Sequence, residues 1–141
     1  MVTQILRLAV RNDISEIGRV TTSIQKFSEE SQLAADLNFN LQVVAEEILS
    51  NIIRYGYTDA RYHTILFDLQ FDSEDISMLI QDDGIPFNML EHPVYQPPQS
   101  MNELKVGGLG IHFVRNMMDE ITYRREDGQN ILLLKKKTTK A

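Results

Sequence analysis

The sequence predicts an α+β protein, a two-layer sandwich in which a mostly antiparallel sheet is covered on one face by about three helices. Three observations carry that expectation. Apolar residues recur three and four apart in three separate stretches, the period of an α-helix. Between and after these stretches lie short segments rich in Ile, Leu and Phe, bounded by acidic or glycine turns and suited to strands. Two pairs of those segments are separated only by short turns, which makes their pairing antiparallel.

The elements follow in order. Ile5 to Val10 reads as a short strand. Asn12 or Asp13 then caps a helix on which Ile14, Ile17, Val20, Ile24 and Phe27 recur at helical spacing. A second helix runs from about Asn38 or Asn40 to Tyr55, with Gly56 as its stop and an apolar stripe of Leu41, Val44, Ala45, Ile48 and Ile52. His63 to Phe71 alternates in part, and Ile76 to Ile80 follows an acidic turn, so the two make a hairpin. From Asn88 to Val106 the pattern collapses around Pro93, Pro97 and Pro98, and a loop of that length inside a compact domain is usually functional or disordered. Helical spacing returns at Ile111, Val114, Met117 and Met118. Ile121 to Arg125 and Ile131 to Lys135 close the chain as two strands around Asp127-Gly128. With no internal repeat, linker or low-complexity segment, residues 1–141 are expected to form one domain.

Composition narrows the function. Hydrophobic residues at 43% and charged residues at 24% are ordinary for a folded globular chain and exclude disorder. The absence of cysteine excludes disulfides, thiolate metal sites and a thiol nucleophile. No apolar stretch reaches the roughly 20 residues a membrane helix needs. Met1 to Asn12 lacks the layout of a signal peptide, so a cytoplasmic location without a membrane partner is expected. A net charge of −6 argues against direct nucleic-acid binding, and Lys135-Lys136-Lys137 with Lys140 reads as a solvated tail. His63, His92 and His112 are scattered without ligand spacing, so no histidine metal site is expected.

Chemistry concentrates in three places. In Ala45-Glu46-Glu47-Ile48-Leu49-Ser50-Asn51-Ile52-Ile53-Arg54, Glu47 and Asn51 stand four apart on one helix face. A carboxylate can take a proton, and a carboxamide oxygen is a hard ligand suited to magnesium. In Leu79-Ile80-Gln81-Asp82-Asp83-Gly84-Ile85-Pro86-Phe87, an apolar run ends at an acidic-glycine turn. In Gly107-Gly108-Leu109-Gly110, three glycines precede a helix, where exposed amides and the positive helix end favour phosphate. A P-loop is excluded because no Lys-Ser or Lys-Thr follows, and a dinucleotide fingerprint because Phe113 stands at its third glycine.

These three boxes, in this order, resemble the nucleotide-binding boxes of the GHKL ATPase superfamily and, within it, the anti-sigma factor serine/threonine kinases. The likeness spans about residues 12–136 and includes Asp119-Glu120, Tyr123 and Asp127-Gly128. It implies the GHKL (Bergerat) ATP-binding fold, with ATP and Mg²⁺ as cofactors and an ATP lid at about 88–106. It further implies that Glu47 is the catalytic base and Asn51 the magnesium ligand. Asp82 would accept from the adenine amine, beside Gly84 and Pro86, and Gly107, Gly108, Leu109 and Gly110 would close the lid on the phosphates. Asn130 stands where relatives often carry a threonine that holds adenine through water. Arg54 either reaches the phosphates or lid or is a solvated arginine, and Arg19 either contacts a partner or is solvated.

The function so implied is an anti-sigma regulatory serine/threonine protein kinase that phosphorylates a small antagonist protein, sequesters a sigma factor, and forms a homodimer. Two other readings use the same residues: an ATP-binding partner-switching module without phosphotransfer, and a slow ATPase.

Overall fold

The computed structural model of the protein describes residues 2–91 and 108–138. Among them are five strands and three α-helices: β1 (Val2–Arg11), α1 (Ile17–Glu30), α2 (Ala35–Tyr55), β2 (Thr64–Asp72), β3 (Asp75–Asp82), α3 (Gly108–Met117), β4 (Glu120–Glu126) and β5 (Gln129–Lys137). The strands form one sheet in the order β1-β2-β3-β5-β4, and each neighbouring pair is antiparallel. The last strand therefore lies inside the sheet, between β3 and β4, rather than at its edge.

Strand alternation decides where the core sits. Ile65, Phe67 and Leu69 of β2, Ile76, Met78 and Ile80 of β3, and Leu132 and Leu134 of β5 are buried, while their neighbours are more exposed. The buried set meets the apolar stripes of α1 (Val20, Ile24, Phe27) and α2 (Leu41, Val44, Ala45, Ile48, Leu49). Polar groups such as the Arg7–Asp68 ion pair at 3.7 Å occupy alternate positions on β1 and β2. The expected α+β sandwich is thus the observed one.

Boundaries depart from expectation where local chemistry was misleading. Asp13 does act as a cap, its carboxylate accepting from Ser15 N–H at 3.0 Å, but it caps a 3₁₀ turn over Ile14–Glu16 that precedes α1. Asn12 spends its side chain elsewhere, accepting from His63 N–H at 2.9 Å and donating to Arg61 O at 3.2 Å, which ties the end of β1 to the start of β2. Helix α2 begins at Ala35, earlier than the expected Asn38 or Asn40, because Asp36 in its first turn accepts from Leu37 N–H at 2.9 Å and no side-chain cap marks the start. The β4–β5 connection is the expected Asp127-Gly128 turn, with φ of 52° and 76°, the two-positive-φ form that matches strand twist. Of the segment expected to be a lid, only residues 88–91 fall within the described set. They include a 3₁₀ turn at Met89–Glu91 that buries Met89. Residues 92–106, with His92, Pro93, Pro97 and Pro98, lie outside it, as do Gly107 and Lys140.

Helix α2 offers a direct test of this packing, since it carries both a fully buried and a largely exposed large side chain. Leu49→Ala should cost about 2–5 kcal/mol of unfolding free energy. Phe39→Ala, at a position 62% exposed, should change it by less than about 0.5 kcal/mol. Urea denaturation of the two variants measures both.

Candidate functional site

Between the C-terminal half of α2 and the sheet lies a cavity of about 360 Å³. Its walls are apolar: Ile48 and Ile52 from α2, Ile80 from β3, Leu132 from β5, and Ile111 and Val114 from α3. Its few polar groups are Glu47, Asn51 and Tyr55 on one side and Asp82, Asn130 and Tyr123 on the other. An apolar cavity with a few convergent polar groups is the usual form of a small-molecule site.

The sheet side holds the more unusual chemistry. Asp82 ends β3 with only 5% of its surface exposed, and burial pushes its carboxyl pKa up. Hydrogen bonds oppose that shift: Asp82 Oδ1 accepts from Asn130 Nδ2 at 3.0 Å and from Gly84 N–H at 2.9 Å. Asp82 Oδ2 has no hydrogen-bond partner among the described residues, and Asp82 lines the cavity. The pair is set by register, because Asp82 and Asn130 lie directly opposite each other on β3 and β5.

The turn after Asp82 is fastened from several directions. Arg125 NH1 of β4 donates to Gly84 O at 2.8 Å, Asn130 Nδ2 donates to Ile85 O at 2.8 Å, and Ile85 N–H donates to Gly56 O at 2.8 Å. The last of these joins the turn to the end of α2. That junction explains the glycine: a Cβ on Gly84 would run into the Gly56 carbonyl and approach Asp82 Oδ1 to 2.9 Å. Close backbone approach, rather than a positive φ, is what position 84 requires.

On the helix side, Asn51 Nδ2 donates to Glu47 Oε1 at 3.2 Å across one turn of α2. That bond uses the amide nitrogen and leaves Asn51 Oδ1 available as a hard oxygen ligand. The first turn of α3 sits against the same carboxylate, and a Cβ on Gly110 would overlap the Glu47 side chain. Glycine at 110 lets the helix start reach the acid, and the positive end of α3 faces a negative group.

Glu47, Asn51, Asp82 and Asn130 are therefore brought together around one cavity, with Gly84 behind Asp82 and Gly110 against Glu47. Gly108 and Leu109 start α3, and Gly107 lies outside the described residues. Arg54 and Pro86 are exposed and do not line the cavity. Arg19 is not simply solvated: it pairs with Glu16 at 2.9 Å and donates to Ala9 O at 2.6 Å, holding α1 against β1. Sequence reasoning gave no role in the site to Tyr123 or Arg125, whose contacts with Asn130 and Gly84 join positions 7 and 41 residues apart. It also missed a cluster beside the site. The His63 ring stacks on Tyr57 with centroids 4.3 Å apart and lies between Asp59 (2.8 Å) and Asp83 (3.1 Å). Among the described residues, no cluster of three or more His, Asp and Glu has an arrangement that could hold a metal ion, and no helix is long and apolar enough to cross a membrane.

With this geometry in place, likeness to known proteins is informative. The sequence model of the histidine kinase-like ATPase domain matches residues 10–136. The serine/threonine-protein kinase BtrW of Bordetella bronchiseptica is 30% identical over 103 residues, which cover 72% of this chain and 71% of that protein. The anti-sigma F factor of Oceanobacillus iheyensis is 25% identical over 100 residues, 67% of this chain and 66% of that protein, so the match leaves about a third of that relative uncovered. Among solved structures, the histidine kinase AdeS of Acinetobacter baumannii superposes with a TM-score of 0.50 over 98% of this chain and 70% of that one. At 12% identity that likeness is one of fold alone.

The His63 cluster predicts a pH dependence. Hydrogen bonds donated by the ring to Asp59 and then to Asp83 raise the histidine pKa above its ordinary 6.5. A raised folded-state pKa means that the stabilisation is complete below about pH 6.5 and is lost as pH climbs through the elevated value. Thermal melts should therefore show the wild type losing stability between slightly acidic and alkaline buffer, and His63→Ala should flatten that slope.

Proposed function

The chain belongs to the histidine kinase-like ATPase domain family, in the branch of the anti-sigma factor serine/threonine kinases, and from that premise we propose that it binds ATP–Mg²⁺ and phosphorylates a small antagonist protein on serine or threonine. The observation that carries the proposal is the pairing of two unlike halves around one apolar slot. A buried carboxylate oxygen is open on the sheet side, and a carboxylate–carboxamide pair stands on the helix side.

Each half matches one end of a nucleotide. The apolar walls suit a flat base, and Asp82 Oδ2 suits an exocyclic amine that donates to it. At the other end, Asn51 Oδ1 would hold the metal, which when bound neutralises charge on the phosphates. The start of α3, with Gly108 and Gly110, would supply amides for the phosphate oxygens. Because Gly110 abuts Glu47, phosphates laid along that helix end must part the two.

Glu47 is the group placed to act on the acceptor. It takes the proton of the incoming hydroxyl as that oxygen attacks the γ-phosphorus and the bond to the β-phosphate oxygen breaks, releasing ADP. Such transfer depends mainly on positioning and charge neutralisation, so one base, one metal and a set of amides suffice. The likeness to an anti-sigma F factor supports a sigma factor as the protein held when the antagonist is phosphorylated. The antagonist, once unphosphorylated, would release that sigma factor.

Glu47→Gln keeps the size of the side chain and removes the proton acceptor. ATP affinity measured by calorimetry should persist, while phosphate transfer to the antagonist should fall by about 10²–10⁴. Transfer at the wild-type rate would exclude Glu47 as the base. Wild-type protein that binds ATP and a partner but labels no antagonist would favour a binding module, and phosphate released to water alone would favour an ATPase.

Asp82→Asn tests the other half and should separate stability from binding. Since burial raises the Asp82 pKa, the ionised form opposes folding at neutral pH, and its removal should raise the melting temperature. The new amide sets a donor against the base amine, so ATP binding should be lost. A variant that is stable and still binds ATP would move the base elsewhere.

A further inference from the structure

Asn130 spends its whole carboxamide inside the protein. Its two N–H donors go to Asp82 Oδ1 at 3.0 Å and Ile85 O at 2.8 Å. Its oxygen accepts from the Tyr123 hydroxyl at 2.6 Å and from Phe87 N–H at 3.3 Å. A carboxamide has two donors and two acceptor sites, so nothing remains with which to bind a ligand or a bridging water. Asn130 therefore acts on the cavity through the groups it holds, the Asp82 carboxylate and the backbone of Ile85 and Phe87.

The orientation of that amide then becomes the controlling variable. Reversed, it would set its oxygen against Asp82 Oδ1 and Ile85 O, two acceptors, and its nitrogen against Phe87 N–H. As placed, its oxygen is held chiefly by the phenol of Tyr123, the shortest bond it makes. From β4, the edge strand, Tyr123 reaches Asn130 on β5 and Arg125 reaches across β5 to Gly84 in the turn that follows β3.

We infer that Tyr123 is a positioning residue of this site: its hydroxyl aims the Asn130 amide at Asp82 Oδ1 and so keeps Asp82 Oδ2 as the acceptor open to a ligand. On the ATP reading, on which the choice of ligand rests, a purine with an amino group on its six-membered ring is accepted. A purine with an oxo group there meets carboxylate oxygen and is refused. Without the phenol, Asn130 keeps only the long contact on its oxygen and can pivot. Its donation to Asp82 weakens, and the carboxylate loses one of the bonds that oppose the effect of burial.

The experiment reads Asp82 directly. Carboxyl ¹³C resonances of the nucleotide-free protein are followed against pH in wild type, Tyr123→Phe, Asn130→Ala and the double variant. The charged and titratable groups around Asp82 are Asp83, Arg125, Tyr57 and, along the same cavity, Glu47 and Tyr123; all except the substituted one are common to the variants. Tyr123→Phe should raise the Asp82 midpoint by about 0.5–1 pH unit. Asn130→Ala should raise it at least as far, and the double variant no further than Asn130→Ala, because Tyr123 acts through Asn130. In parallel calorimetry, Tyr123→Phe should weaken ATP binding about tenfold, the loss of roughly one hydrogen bond, and leave GTP binding unchanged. An unmoved Asp82 midpoint, or equal losses for ATP and GTP, overturns the inference and leaves Tyr123 a packing residue. Wild-type protein that binds neither nucleotide, with the midpoint shift intact, overturns the ATP reading and supports the positioning role.

Discussion

A carboxylate buried at the end of a central strand is the constraint around which the rest of the molecule is arranged. Left unpaired, a charge so deep in an apolar surround would cost several kcal/mol and would simply take up a proton. Asp82 remains useful because one of its oxygens is held by a backbone amide and a carboxamide while the other is left open. That division requires β3 and β5 to pair in one register, β4 to reach over β5, and the following turn to lie against the end of α2. A one-residue slip of β5 would turn Asn130 to the opposite face and strand the charge. The network that makes the acceptor is therefore also what makes it intolerant of error.

Helix α2 serves both layers at once. Its apolar stripe fills the core, its Glu47–Asn51 pair faces the cavity, and the Gly56 carbonyl at its end receives the Ile85 amide. Two sides of the cavity are thus referenced to the same rigid element, and their separation is fixed by helix geometry rather than by loop conformation. The α3 side is different, because its contact with Glu47 runs through the bare backbone of Gly110. Charge at a helix start and the chemistry of the acid are therefore not independent.

What could be read from the sequence was what repeats locally. The stripe Leu41, Val44, Ala45, Ile48 and Ile52 gave α2, its four-residue offset gave Glu47 and Asn51, and Asp127-Gly128 gave the last hairpin. Asp82 was singled out by the resemblance of its acidic-glycine turn to a nucleotide-binding box, because the turn alone reads as an ordinary Asp-Asp-Gly turn. The start of α2 was missed because Ala34 carries no capping side chain, and the 3₁₀ turn after Asp13 because a cap looks the same before either kind of helix. The reason for Gly84 lies 28 positions away in the Gly56 carbonyl, and the saturation of Asn130 involves Asp82, Ile85, Phe87 and Tyr123 from two other segments. Such facts are properties of packing, and no periodicity encodes them. Arg19 shows the opposite hazard: an arginine suited to a partner is already engaged with Glu16 and the β1 backbone.

The place of β5 in the sheet has a consequence for synthesis. It is the last strand of the described chain to leave the ribosome, yet it must slot between two strands made before it. Until it does, Asp82 has neither its carboxamide partner nor its neighbour in the ladder, and β3 and β4 present raw edges to the surroundings. A half-made molecule of this kind can neither present the Asp82 acceptor on the terms described nor hide its sticky sides. Ligand competence and protection from aggregation arrive together, when β5 enters the sheet.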